Sequence, residues 1–414
     1  MLLNFMKKDV VLITGNFEFP DKNAAGKRVL GFGFILKEMG YEPVFVGVNK
    51  NYPASGKIED TYLEAHGMGS YSLPYPSGMW GWLDYPKQLR KVLKVAYQIG
   101  YARLVAIIAY GSPAISLWMN KLRKWSKKNG ILFIADCVDW IQYSDKGFSY
   151  NVIKFFDTNF QKRFIIPKAD AVIVVSRYLY NYYARKGCKL EMIPPVTDVR
   201  LYRDEIERSL DRLKSTSEER ITRFVYAGIP FSISYNAKRS SFKDRLDRTV
   251  ELFHKVYAKT KRYVFNIYGI TKEEYLTTLP DHREMLDEMN GKIYFHGQCE
   301  QKNIINEIIK SDFSILHRDD NLVTKAGFPT KVSESISLGV PVITEKTSNI
   351  DEYIIDGYNG IWITPEDEVE RIIELINGTN SMIVNMKMNC INDGPFDYRK
   401  YKSSFYELLT KTKG

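Results

Sequence analysis

From Val10 onward the chain alternates short, nearly continuous β-branched apolar runs with longer stretches of helical spacing. That is the pattern expected when parallel strands are joined by helices. Five runs in the first half read as strands: Val10 to Thr14, Pro43 to Gly47, Leu104 to Ala109, Ile131 to Ala135 and Ala171 to Val175. Strands covered on both faces lose the in–out alternation, so these runs predict one parallel sheet with helices on both sides. The pattern then restarts with Phe224 to Ala227, Tyr263 to Tyr268, Lys292 to His296, Phe313 to Leu316 and Pro341 to Ile343. Between the two series lies MIPPVTDV, Met192 to Val199, whose two prolines cannot continue a ladder and so mark an interdomain connection. The predicted class is α/β, with two Rossmann-like domains facing a central cleft. They are expected over residues 1–195 and 196–395, with 396–414 as a C-terminal helix packing back on the first domain. Tyr52 to Gly81, rich in Tyr, Gly, Pro and Ser, reads as an irregular loop whose aromatics either stack on a sugar or pack beneath the loop.

Length agrees with two domains, because 414 residues with 44% apolar content exceed what one core usually organises. The longest apolar runs are far shorter than the roughly 20 residues of a membrane-spanning helix, and Lys7, Lys8 and Asp9 interrupt the apolar start before a signal core forms. A cytoplasmic chain is expected. Cys137, Cys188, Cys299 and Cys390 are too far apart to suggest a disulfide framework, and the five histidines do not cluster with Glu or Cys at ligand spacing. No metal and no cofactor are predicted. The net charge of +10 is uneven: 27 Lys+Arg face 15 Asp+Glu through Glu191, against 32 and 34 thereafter. Basic runs such as Lys121, Arg123, Lys124, Lys127 and Lys128 suit an ordinary solvated helix face or an anionic membrane surface at the inner leaflet. Without a recognised nucleic-acid motif, no nucleic-acid partner is expected.

The stretch with most chemical content follows the strand Phe313 to Leu316 and reads HRDDNLVTKAGFPTKVSESISLGVPVIT. Gly327, Phe328 and Pro329 form a turn into a helix beginning near Thr330, whose free amides and positive dipole end suit a diphosphate. Lys331 adds a point charge there, Ser333 shares the same turn, and Glu334 can accept hydrogen bonds from ribose hydroxyls. The competing reading is a helix start with surface Lys and Glu. In the first half, Gly26 of NAAGKR sits where strand gives way to helix and permits close backbone approach to donor phosphates or acceptor. GKRVLGFG is not a GxGxxG fingerprint, which argues against a dinucleotide enzyme. Asp136 and Asp139 of DCVDWIQY stand at a strand end, where either carboxylate deprotonates an acceptor hydroxyl or caps a turn. His296 and His317 each end a strand and line the nucleotide pocket or make local hydrogen bonds.

GFPTKVSESISLGVPVIT followed by DEYIIDGYNGIWI resembles the donor-binding signature of glycosyltransferase family 4, a family of GT-B fold. SDFSILHRDD, FVYAGIP with KDRLDRTVELF, and LITGNFEFPDKNAAGKRVLGFGFILKEMGYEPVFVG resemble further segments of that family, so the likeness covers most of the chain. The resemblance implies retaining transfer of a hexosyl group from a nucleotide-diphosphate sugar to a glycan or lipid-linked oligosaccharide acceptor, without a metal, in bacterial surface polysaccharide synthesis. It makes Lys243 the phosphate-binding lysine and Glu334 the second acidic residue of the family's glutamate pair, facing the ribose. Lys243, Glu334, Asp136 and Asp139 are thus the candidate catalytic groups. Two positions depart from the family: Ala326 stands where the first glutamate of the pair belongs, and the arginine that usually precedes the family's lysine by about five residues is missing from YAGIP, where an insertion containing Lys238 and Arg239 intervenes. Lys238, Arg239 or Arg318 is left to supply the second positive charge. A catalytically silent GT-B protein that binds a nucleotide sugar or glycan is the alternative these departures motivate.

Overall fold

The computed structural model describes residues 8–52, 56–76, 81, 85–111, 116–140, 148–217, 219–235 and 237–410. The chain forms two compact units. The first comprises Met1–Asp198, Ala326–Phe328 and Tyr398–Gly414, and the second Val199–Lys325 and Pro329–Asp397.

The first unit is built on an eight-stranded sheet of order β3-β4-β2-β1-β5-β6-β7-β8. Its strands are β1 (Val10–Gly15), β2 (Glu42–Asn49), β3 (Leu63–Ala65), β4 (Met68–Pro74), β5 (Leu104–Tyr110), β6 (Leu132–Cys137), β7 (Ala171–Val174) and β8 (Leu190–Met192). Pairing is parallel except between β3 and β4. β1 lies between β2 and β5 and is buried along its whole length, which is why VVLITG shows no alternation. The helix Ala24–Glu38 buries Val29, Phe32, Ile35 and Leu36 in a core shared with Val11, Ile13 and Phe45. The helix Lys402–Leu409 brings Phe405 to 5.3 Å from Phe32 in that core.

The expected loop over Tyr52 to Gly81 is corrected: β3 and β4 lie within it, and β4 pairs with β2 from Val44↔Gly69 to Asn49↔Pro74. Gly, Ser and Pro give MGSYSLP little intrinsic strand preference, so pairing with β2 and burial of Met68 and Leu73 define the strand.

The second unit carries a parallel sheet of order β11-β10-β9-β12-β13-β14. The strands are β9 (Thr222–Ala227), β10 (Tyr263–Tyr268), β11 (Ile293–Phe295), β12 (Phe313–Leu316), β13 (Val342–Thr344) and β14 (Gly360–Trp362). The chain moves outward from β9 through β10 to β11, then returns to place β12 on the other side of β9. Such a reversal of strand order opens a crevice at the carboxyl ends of the two strands, where ligands bind in open α/β sheets. The α/β class and the two separate sheets are as the hydrophobic pattern predicted.

Candidate functional site

At the carboxyl end of β9 the chain turns at Gly228 (φ +140°), and at the end of β10 it turns at Gly269 (φ +101°). A Cβ on Gly269 would stand 2.6 Å from the Gly228 carbonyl oxygen, and one on Gly228 would collide with Cε and Nζ of Lys331. Two glycines therefore let the strand ends close together and let the Lys331 stem run over the turn. Lys331 occupies the first turn of the helix Thr330–Ser337. The N-cap residue of this helix is Pro329, which makes no side-chain capping hydrogen bond.

Three positive side chains gather here around one carboxylate. Lys331 Nζ lies 2.6 Å from Asp244 Oδ2, and Arg318 Nε lies 3.3 Å from Asp244 Oδ1. The Tyr226 hydroxyl, at the end of β9, donates to Asp244 Oδ2 at 3.0 Å, and the Lys331 ammonium stands 5.2 Å from the Tyr226 ring centroid. Lys243, adjacent in sequence, is exposed and adds its charge to the field at Asp244. Burial works to raise the Asp244 carboxyl, but Lys331, Arg318 and Lys243 outweigh it and hold it below its ordinary range. Arg318 is almost wholly buried, and its Nη1 has no hydrogen-bond partner. Loss of hydration pulls the Arg318 guanidinium down against the stabilising pull of Asp244. A buried guanidinium nitrogen without an acceptor, beside a lysine in the first turn of a helix, is an arrangement suited to anionic oxygens.

The loop that carries Arg318 is held from several sides. His317 is buried between Thr249 Oγ1, 2.9 Å from Nδ1, and Glu368, 3.3 Å from Nε2. The Arg318 backbone amide donates to Glu345, and Asp319 receives both carboxylate contacts from Arg245 Nη1 at 2.8 and 2.9 Å. His317 is thus a brace. His296 is held by Asn266 and stacks 4.4 Å from Tyr268.

Of the residues singled out from sequence, the structure brings Lys331, Arg318 and Lys243 together around Asp244. Glu334 is half-buried one turn beyond Lys331, on the same face of the helix. Ser333 is buried, and its hydroxyl donates back to the Thr330 carbonyl, which removes it as a donor to a ligand. Gly327 and Phe328 group with the first unit, whereas Pro329 and Thr330 group with the second. Arg239 is engaged elsewhere, by Glu251 at 3.2 Å and by Asp281, with His282 alongside. Lys238 contributes a carbonyl that accepts from Ser241. Sequence reasoning passed over Asp244, Tyr226 and Gly228, although KDR beside Lys243 and a glycine directly after a strand were the available signals.

In the first unit two expectations change. Gly26 is needed because a Cβ would collide with the Glu18 carbonyl oxygen, and its amide is taken by the Asn23 side chain at 2.7 Å. The close approach it permits is by the chain's own loop at Glu18. Asp136 is fully buried in β6 and held by Arg28 at 2.7 and 2.8 Å, while Arg28 Nη1 donates to the Ile193 carbonyl. Burial pushes the Asp136 carboxyl up against the pull of Arg28, and no face is left for a substrate hydroxyl. Asp139 differs: its side chain is half exposed and lies 3.0 Å from the buried Lys162 ammonium, itself 5.3 Å from the Trp140 ring centroid. Ile141, Gln142 and Tyr143 of the same motif lie outside the described residues. Among the described residues no cluster of three or more His, Cys, Asp or Glu could hold a metal, and no helix is long and apolar enough to cross a membrane.

Residues 232–392 match the family model described as glycosyl transferases group 1, a span that contains Lys243, Asp244, Arg318, Lys331 and Glu334. An uncharacterized glycosyltransferase of Methanocaldococcus jannaschii is 23% identical over 279 residues, 63% of this chain and 64% of that protein. The chain thus spans just under two thirds of the length of this curated relative. Among solved structures, sucrose-phosphate synthase of Thermosynechococcus elongatus superposes with a TM-score of 0.66 at 13% identity, covering 97% of this chain and 98% of that one. A glycosyltransferase from Rickettsia africae gives 0.63 at 14% identity over 98% and 100% of the two chains. Anabaena HepE, solved with UDP and glucose, gives 0.59 at 15% identity over 97% and 99%. Residues 232–392 of the second unit are thus similar to group 1 glycosyl transferases, and the chain as a whole has the two-domain GT-B fold of these solved structures.

Proposed function

We propose that this protein transfers a glycosyl group from a nucleoside-diphosphate sugar, with the donor diphosphate held by Lys331, Arg318 and Lys243 at the start of the helix Thr330–Ser337. The observation that carries the reading is the surplus of cations around Asp244, with Arg318 Nη1 buried and without a hydrogen-bond partner near the first turn of that helix. In the reaction the bond from the anomeric carbon to the β-phosphate oxygen breaks, and a bond from that carbon to an acceptor hydroxyl oxygen forms. Negative charge grows on the departing diphosphate, where preformed cations and helix amides act most strongly. The acceptor hydroxyl's proton passes to the leaving diphosphate or to a carboxylate, for which the half-exposed Asp139 is the first-unit candidate. Glu334 faces the ribose hydroxyls.

The retaining outcome, membership of family 4, hexosyl transfer without a metal, a glycan or lipid-linked acceptor, and a place in surface polysaccharide synthesis extend this reading on the resemblance of the donor motif. The positive excess of the first half supports an anionic membrane surface as a partner. UDP is the first nucleotide to try, because Anabaena HepE and an E. coli trehalose-6-phosphate protein were solved with UDP or a UDP-sugar. A calorimetric panel of UDP, GDP, ADP, CMP and NAD on wild type, Lys331→Ala and Glu334→Ala tests the donor site. Selective binding of one nucleoside diphosphate, weakened in both variants, is expected; a chain that binds none of the five sinks the reading. The silent-binder alternative rests on Ala326, and it predicts nucleotide binding with no nucleoside diphosphate released from any nucleotide sugar.

A further inference from the structure

The second unit concentrates positive charge a second time, at the opposite end of its sheet. A cavity of about 250 Å³ opens where β9 and β12 begin, lined among others by Arg212, Arg220, Arg223, Lys310, Lys387 and Asp312. Arg212 comes from the last turn of the helix Arg203–Ser215, Arg220 and Arg223 flank the start of β9, and Lys310 ends the helix Gln301–Lys310. Two of the cations have structural partners. Lys387 is buried and donates to the Ile309 carbonyl at 3.2 Å and the Ser311 carbonyl at 2.7 Å, closing the end of that helix. Arg220 is paired with the buried Asp312 at 2.5 Å.

The other three have one carboxylate between them, Glu307. Arg212 gives one bond of 3.3 Å to the Lys310 carbonyl and, among the described residues, meets no carboxylate. Arg223 Nε is buried without a hydrogen-bond partner, and its ion pair with Glu307 stretches to 3.9 Å. Glu307 stands closer to Lys310, at 2.7 Å. Five cations thus share two carboxylates, Asp312 and Glu307, around one small cavity. Like charges at this density repel, and a buried guanidinium N–H without an acceptor carries an unrecovered desolvation cost. A multivalent anion relieves both, and guanidinium forks match phosphate oxygens in pairs. The cavity is smaller than the roughly 300–1,000 Å³ typical of drug-sized ligands, which favours a phosphate group over a whole nucleotide. Burial also pulls the Lys387 ammonium down to about 8, so a bound anion would favour its charged form.

We propose that this cavity is a phosphate-recognition site, separate from the donor site, in which Arg212, Arg223 and Lys310 hold a phosphate group borne by a free small molecule or by a lipid headgroup. Calorimetric titration of the full chain with inorganic phosphate at low salt tests it, on wild type, Lys331→Ala and Arg212→Gln/Arg223→Gln. The expected result is binding retained in Lys331→Ala and weakened at least about tenfold in the arginine variant, with the ligand-free melting temperature unchanged. Should that variant melt early, Lys310→Met, at a half-exposed side chain, repeats the test. Sedimentation with phosphatidic acid vesicles, against phosphatidylcholine vesicles, separates the sources: a lipid ligand gives vesicle binding that disappears in the same variant. Phosphate binding that is lost in Lys331→Ala and survives in Arg212→Gln/Arg223→Gln overturns the proposal. So does the absence of both phosphate and vesicle binding.

Discussion

Each unit of this protein buries an aspartate beside an arginine, and the two pairs differ in balance. In the first, Asp136 and Arg28 match one to one: two guanidinium nitrogens serve the carboxylate and a third serves the Ile193 carbonyl. In the second, Asp244 faces Arg318, Lys331 and the field of Lys243, and one guanidinium nitrogen of Arg318 has no acceptor. The carboxyls respond oppositely, since burial pushes Asp136 up while the surplus of cations pulls Asp244 down. A buried charge pair in balance is internal architecture, whereas one with a surplus is waiting for a counter-charge from outside.

The largest expected effect comes from unbalancing the first pair. Arg28→Ala leaves Asp136 buried and unpaired, and urea unfolding should show a loss of about 3–5 kcal/mol. A loss below about 1 kcal/mol would mean that the pair is hydrated and the contrast with Asp244 fails. The same logic predicts the reverse profile for Lys331→Ala, with folding little changed and glycosyl transfer slowed on the order of 10²–10³-fold, read as nucleoside diphosphate released per enzyme. Gly228→Ala sharpens the comparison without removing any charge. The new Cβ must displace Lys331 and the turn must leave φ +140°, so stability should fall by about 1–3 kcal/mol, and nucleoside-diphosphate affinity should fall with it. The smallest effect is in pH dependence. Because the folded Asp244 carboxyl lies below its ordinary 3.8, the stability it contributes is present above about pH 4 and is lost as pH falls through the folded value. Urea melts across the acid range should therefore show a flatter acid limb for Asp244→Asn than for wild type.

Much of this architecture was legible in the sequence. β10 and β12 fall where the apolar runs predicted, and the helix at Thr330 begins where GFPTK announced it. The strands that escaped notice were β3, β8 and β14, of three residues each, and β4, whose Gly, Ser and Pro hide it. Lys331, Arg318 and Lys243 were visible as charges after strands or before helices. Their common partner was not, because Asp244 lies 74 positions before Arg318 and nothing local links them. Asp136 shows the opposite failure: a carboxylate at a strand end reads as catalytic until Arg28, 108 positions earlier, is seen to hold it.

Periodicity, turn residues and a helix start are local properties of the chain, so the α/β class, the two sheets and the helix that bears Lys331 and Glu334 could be read from residue order alone. Which charges are already paired was settled by the fold. It committed Arg239 to Glu251 and Asp281, sealed Asp136 with Arg28, and left Arg318 short of an acceptor. Whether a charge is balanced depends on neighbours that the fold brings in from distant positions and on the water it excludes. No stretch of sequence carries either of these alone.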